Sequence, residues 1–160
     1  MSDDVLTRIR RCLTDAGIAF REIAHEPTLT SEASAAARGE PLGVGAKALL
    51  LRTEETFRLF VLPADCKLDS AAVKRELGIK RLRFATAEEL LETTGLVPGS
   101  VPPFGEPILP FELFADSSIG TQYDRVAFNA GSLTVSILLS AAAWEAIAKP
   151  RRFAFAKVDA

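Results

Sequence analysis

Eleven consecutive residues, Gly95-Leu96-Val97-Pro98-Gly99-Ser100-Val101-Pro102-Pro103-Phe104-Gly105, hold three glycines and three prolines and constrain this 160-residue chain more than any other stretch. Glycine reaches backbone angles closed to other residues, while proline fixes φ near about −65° and removes an N–H, so neither a helix nor a central strand can run through the segment. Val97, Val101 and Phe104 are apolar enough to anchor it on a core, which sets it apart from a flexible linker rich in glycine and serine. Two readings remain open. It is either a tight connection between elements, or a built loop in which Gly99 lets the backbone approach a ligand and the N–H groups of Ser100 and Val101 face an oxygen atom.

Around this loop the pattern is mixed. Val5, Leu6, Ile9, Leu13 and Ala16 recur at helical spacing, with Asp3 or Asp4 as cap and Gly17 as stop. A strand is expected over Ile18 to Ala24. Thr30-Ser31-Glu32 then opens an alanine-rich helix that ends at Gly39 and Pro41. Two apolar runs, Ala46 to Leu51 and Phe57 to Leu62, flank a polar turn and predict a central β-hairpin. Asp69 or Ser70 caps a helix to Leu77, Leu82 to Phe84 makes a short strand, and Ala87 to Thr93 a further helix. Strands are expected at Ile108 to Phe114, Arg125 to Asn129 and Leu133 to Leu138, before a closing helix from Ser140 to Ala148. Without regular βαβ alternation, the expected class is α+β: a single domain over residues 1–160, with a mixed, mostly antiparallel sheet and flanking helices.

Composition narrows the partners. Nineteen basic and 21 acidic side chains leave a net charge of −2, so contact with nucleic acid has to be local. Basic residues cluster at Arg8, Arg10 and Arg11, at Lys74 to Arg83, and at Lys149 to Arg152; each cluster also reads as a solvated helix face. Cys12 and Cys66 lack a ligand-like spacing to each other or to the one histidine, which predicts reduced thiols and no metal site. The start of the chain does not resemble a signal peptide, and no apolar run is long enough to span a membrane, so the expected location is the cytoplasm. No GxGxxG, GxxxxGK[ST] or GxSxG motif occurs, and no cofactor is called for.

Lys47 is conspicuous because it opens an apolar run, Ala46-Lys47-Ala48-Leu49-Leu50-Leu51, where an ammonium costs several kcal/mol to bury unless it is paired or used. Its bland reading is a strand-end lysine whose stem packs while its head reaches water. His25, in His25-Glu26-Pro27, has the residue type of a general base but no acid or nucleophile beside it in sequence. Asn129-Ala130-Gly131-Ser132 joins two expected strands and reads equally as a turn or as a set of polar groups around a ligand.

Taken in order, these parts resemble the YbaK and prolyl-tRNA synthetase-associated editing domains. His25-Glu26-Pro27 with Thr30-Ser31-Glu32-Ala33, the strand Gly45 to Leu51 carrying Lys47, Leu68-Asp69 followed by Leu77-Gly78, and Gly99 to Pro103 as a Gly-x-x-x-Pro loop carry the likeness over most of the chain. The resemblance implies a YbaK-like fold and hydrolysis of the ester between a wrongly attached amino acid and the 3′ end of a tRNA, with an aminoacyl-tRNA synthetase as a further partner. It implies that Lys47 holds the phosphate or ribose of the terminal nucleotide, and that Gly99, Ser100 and Val101 present N–H groups to the ester carbonyl. Substrate-binding positions implied with them are His25, Thr30, Pro102, Pro103, Phe104, Gly105, Asn129, Gly131 and Ser132. A pocket shaped by Val101, Phe104 and Leu133 would suit a small side chain, and Gly99 is where an added side chain should do most harm. The chain departs from members that carry an acidic residue on the late strand, having Thr134 and Ser136 there. A binding module of the same fold, without hydrolysis, is the alternative.

Overall fold

The computed structural model describes residues 4–158; Asp3, one of the two alternative caps of the first helix, lies outside them. Asp4 fills that role, its carboxylate accepting from Thr7 N–H at 2.8 Å to open α1 (Val5–Asp15). Thr30 opens α2 (Ser31–Arg38) and Asp69 opens α3 (Ser70–Leu77), each closed by a left-handed glycine, Gly39 and Gly78. Thr86 and Glu89 form a reciprocal capping box on α4 (Ala87–Thr94), and Ser140 caps α5 (Ala141–Ala148).

The predicted hairpin is the centre of the molecule. β2 (Ala46–Thr53) and β3 (Thr56–Pro63) pair antiparallel, and β5 (Leu82–Phe84) adds to the outer edge of β2 at Leu51–Thr53 only. On the other side β6 (Leu113–Asp116) and β9 (Arg151–Phe153) join in parallel, giving the order β5-β2-β3-β6-β9. A second sheet, β1-β8-β7, is antiparallel and comprises β1 (Arg21–Ala24), β8 (Val135–Ser140) and β7 (Arg125–Asn129). A two-stranded ladder pairs β4 (Cys66–Leu68) with β10 (Ala156–Val158). The α+β class and the mostly antiparallel pairing are as expected, with the strands divided over three sheets.

Alternation along the central strands explains the two cores. Leu50, Leu59, Val61, Leu113 and Ala115 face α1, α5 and the second sheet, with Trp144 and Phe128 buried among them. Leu51, Phe60, Leu62 and Phe114 face the other way, toward Val73 of α3, Phe153 and Phe155, and the Phe60 and Phe114 rings stack with centroids 5.0 Å apart.

Three expectations change, the first being that the strand expected over Leu133 to Leu138 runs Val135–Ser140. Residues Ile108 to Phe114 were expected as a strand, but only Leu113 onward is extended; Pro107 and Pro110 cannot donate to a ladder, and Ile108 and Leu109 N–H groups fold back onto the Gly105 carbonyl. The strand expected from Ile18 begins at Arg21. Strands β4, β9 and β10, three residues each, carry no alternation long enough to read from sequence.

Asp116 locks the C-terminal segment. One carboxylate oxygen accepts from the Phe155 and Ala156 N–H groups, both at 2.7 Å, and the other from Ser118 N–H at 2.9 Å and the Ser118 hydroxyl. Burial alone would raise its pKa, yet these donors hold it below the ordinary aspartate range. A carboxyl depressed in the folded state stabilises the protein above the unfolded pKa, near about 3.9, and that stabilisation is lost as pH falls through the folded value. Asp116→Asn should therefore lower stability at pH 7 by about 2 kcal/mol, because an amide nitrogen faces donors. The deficit should shrink between pH 5 and pH 3; thermal melts of both proteins across that range measure it.

Candidate functional site

The two main sheets touch through a parallel bridge between Gly45 and Ala127, then diverge. β5 does not reach the first half of β2, so the gap between Gly45–Leu49 and Ala127–Asn129 is left open, and α2 with the Gly99 loop closes its sides. The result is a cavity of about 210 Å³. Lys47, Thr30, Gly99, Val101 and Asn129, five of the residues singled out in the sequence, line it together.

Lys47 sits half-buried on β2 and donates to the Cys66 carbonyl at 2.8 Å. A second cation, Arg38 at the end of α2, lines the same cavity, and among the described residues no carboxylate does. Arg38 donates from Nε to Ser136 Oγ at 2.9 Å and from Nη2 to Asn129 Oδ1 at 3.1 Å. Burial pulls its pKa down to about 10, partly offset by Glu40, so the guanidinium stays charged at neutral pH.

Asn129 is the centre of a hydrogen-bonded wall. Its Oδ1 accepts from Arg38 and from Ser136 Oγ at 3.0 Å, while its Nδ2 donates to the Gly99 carbonyl at 2.9 Å and to Thr28 Oγ1 at 3.3 Å. Gly99 adopts φ +90°, and the turn is closed by Ser100, whose N–H and hydroxyl both donate to the Val97 carbonyl. The Ser100 N–H is therefore spent inside the loop and does not face a ligand. Among the described residues the N–H groups of Gly99 and Val101 have no such partner.

The remaining expected positions separate from the cavity. His25 lies behind it: Nδ1 is 2.8 Å from the Glu26 carbonyl, which can only accept, and Nε2 is 2.8 Å from Ser136 Oγ. Pro102, Pro103, Phe104 and Gly105 are buried in the core. The Phe104 ring packs edge-on against Phe128 at 5.4 Å and the Pro103 carbonyl accepts from Trp144 Nε1 at 2.9 Å. Phe104 and Leu133 thus do not shape the cavity, whose apolar lining includes Val101, Phe128 and Leu49 instead. Gly131 faces α1, where an added Cβ would meet Val5 at 2.9 Å, and Ser132 caps its own turn through Thr134 N–H. Cys66 offers no nucleophile, since burial and the neighbouring Asp65 push its thiol pKa up.

Arg38, Thr28 and Ser34 escaped the sequence reading, and Ser136 was noted there only as standing where some family members carry an acidic residue. Arg38 stands at a helix end beside Gly39, where basic residues ordinarily meet solvent, and nothing local marks it as turned inward. The serines and Thr28 have no spacing to one another that reports a shared wall.

An α+β domain with a dicationic, hydroxyl-lined cleft beside a rigid glycine loop has the architecture of a module that handles a small anionic or ester-bearing group. The family is shown by comparison: residues 25–147 match the aminoacyl-tRNA editing domain, and the chain belongs to that family. It is 36% identical over 148 residues to the multifunctional Ser/Thr-tRNA deacylase ProXp-y of Escherichia coli K12, covering 89% of this chain and 87% of that protein. It is 33% identical over 119 residues to a proline–tRNA ligase of Bacillus licheniformis, covering 71% of this chain and 21% of the ligase. In fold it superposes with TM-score 0.81 on a candidate trans-editing enzyme for prolyl tRNA synthetase, at 24% identity, over 98% of this chain and 99% of the other.

The loop makes separable demands on its glycines. At Gly105 a Cβ would sit 2.5 Å from the Phe111 carbonyl oxygen, whereas at Gly99 its nearest neighbour would be Leu133 at 3.4 Å, so the greater steric harm falls on Gly105 and the constraint at Gly99 is its φ. Gly105→Ala should lower the melting temperature by more than Gly99→Ala, with the latter costing about 1 kcal/mol; thermal melts of the two variants decide the order.

Proposed function

We propose that the protein is an aminoacyl-tRNA deacylase that acts in trans, hydrolysing the ester between a small, wrongly attached amino acid and the 3′-terminal ribose. The observation that carries this reading is the cavity itself, which among the described residues is lined by two cations, Lys47 and Arg38, and no carboxylate, with the Gly99 loop tied to Arg38 through Asn129. A cleft of that polarity suits a phosphodiester end joined to a neutral ester. Family membership and likeness to a Ser/Thr-tRNA deacylase support it. Likeness to part of a proline–tRNA ligase supports tRNA-Pro species as substrates and a synthetase as partner.

In this mechanism Lys47 and Arg38 hold the terminal phosphate and ribose, and the ester carbonyl lies against the Gly99 loop. Water attacks the carbonyl carbon, negative charge builds on the carbonyl oxygen, and the N–H of Val101 stabilises it. The carbon–oxygen bond to the ribose then breaks, one proton of the attacking water passes to the ribose oxygen, the other is released to solvent, and the amino acid leaves as its carboxylate. A fixed donor aimed at such an oxyanion is worth about 3 kcal/mol of barrier. Asn129 contributes by holding the Gly99 carbonyl, so the loop does not have to reorganise as charge develops.

Purified protein should deacylate members of a panel of mischarged tRNAs, tRNA-Pro species included. Lys47→Ala should reduce kcat/KM by at least about tenfold with far-UV circular dichroism unchanged, the size expected for losing one charge-assisted contact. Rising salt should raise KM more than it changes kcat. Saturable binding of charged tRNA with no turnover would overturn the reading in favour of a binding module.

A further inference from the structure

Ser136, on β8 behind the cavity, has three hydrogen-bonding neighbours and one proton. Arg38 Nε donates to its hydroxyl at 2.9 Å, Asn129 Oδ1 lies 3.0 Å away and His25 Nε2 2.8 Å away. A hydroxyl offers one proton and two acceptor positions, and Arg38 fills one of those positions. The Asn129 oxygen can only accept, and it is the oxygen that points this way, because the amide nitrogen donates to the Gly99 carbonyl at 2.9 Å. With the Ser136 proton on that oxygen, the last position on Ser136 is a lone pair, and His25 Nε2 has to bring a proton to it.

The other ring nitrogen makes a second demand. His25 Nδ1 lies 2.8 Å from the Glu26 carbonyl, which also only accepts, so Nδ1 carries a proton. All of these neighbours are satisfied together only when both ring nitrogens are protonated. In the neutral ring Nε2 is an acceptor and competes with Asn129 for the one Ser136 proton. When the ring takes it, Asn129 Oδ1 faces a hydroxyl lone pair and keeps only Arg38 Nη2, at 3.1 Å, as its donor.

Charged groups reach this ring from few directions. α2 brings Arg38, which meets the same hydroxyl and whose charge Glu40 offsets. The chain beside the ring brings the exposed Glu26, and Glu22 of β1 is held by Arg10. β7, β8 and the turn between them bring Asn129, Ser136 and Thr134, all uncharged; the Thr134 carbonyl accepts from the His25 N–H. A phosphate held by Lys47 and Arg38 would add negative charge to the same wall.

We propose that His25 is a positioning residue: its imidazolium form, by donating to Ser136, directs the Ser136 proton to Asn129 and so keeps the Gly99 loop set for the ester carbonyl. The proposal rests on the deacylase reading above and concerns a ring that lies outside the cavity lining. Loss of the Nε2 proton loosens Asn129, and with it the loop, so it acts on kcat more than on KM.

His25 is the only histidine of the chain, so the ring nitrogen NMR signals of untagged protein report its protonation directly. They are followed across the range in which imidazoles titrate, about pH 5 to 8. Over the same range kcat on one mischarged tRNA, with uncatalysed hydrolysis subtracted, is measured for the wild type, His25→Gln and His25→Phe. The Gln amide keeps a donor for Ser136 at every pH and the Phe ring offers none. The ratio of wild-type to His25→Gln kcat should be highest while both ring nitrogens are protonated and fall about fivefold as Nε2 loses its proton, the size of one neutral hydrogen bond. Titration of the substrate cancels in that ratio. His25→Phe should lie below His25→Gln throughout, and beside Ser136→Ala the His25→Gln change should have no further effect. A ring that is neutral across the range, a ratio that does not follow the ring, or a His25→Gln effect undiminished beside Ser136→Ala overturns the proposal. If the wild type hydrolyses no member of the mischarged panel, the deacylase reading fails, while the ring signals still decide whether His25 holds both protons.

Discussion

The Asn129 carboxamide is the contact on which the rest of the cleft depends. Its four hydrogen bonds tie together a strand of the second sheet, the Gly99 carbonyl, the end of α2 through Arg38, and Thr28 on the segment that leads into α2. Each partner comes from a different part of the chain, so one side chain sets the relative position of the loop, the cation and the hydroxyl wall. Buried networks of this kind stand or fall together, because a polar group left unpaired in low dielectric costs more than the bond it replaces was worth. Replacing Asn129 would leave the Arg38 guanidinium with one fewer acceptor in a place already costly for charge.

The cleft exists because two sheets that meet at Gly45 and Ala127 cannot stay in contact as they twist apart. A short β5 leaves the first half of β2 uncovered, and the protein uses that exposed edge instead of sealing it. The cations are then placed from opposite banks, Lys47 from β2 and Arg38 from α2. In a chain whose net charge is −2, this concentrates positive potential where a phosphate would sit without making the whole surface attract nucleic acid.

Much of the scaffold was legible from residue order because its signals are local. Thr30, Asp69, Ser140 and the glycines after α2 and α3 mark helix ends through bonds within a few residues, and the paired apolar runs of β2 and β3 share one short turn. The prolines at 107 and 110 overrode the apolar character of their segment, and β4, β9 and β10 were too short for alternation to report. In the candidate site, Lys47 stood out because an ammonium in an apolar run needs a reason. Arg38 did not, since its inward turn depends on Asn129 and Ser136, 91 and 98 residues away in the chain.

Sequence alone determined the helix ends, the central hairpin, the stiffness of the glycine-proline loop and the oddity of Lys47, all through contacts between near neighbours or the energetics of single residues. Tertiary structure alone decided which face of that loop is useful. It spent the Ser100 N–H inside a turn, sent Phe104 and Gly105 into the core, and turned Gly131 against α1. It also brought Thr28, Ser34 and Arg38 to the cavity wall, because hydrogen bonds between distant segments form only once the two sheets have packed.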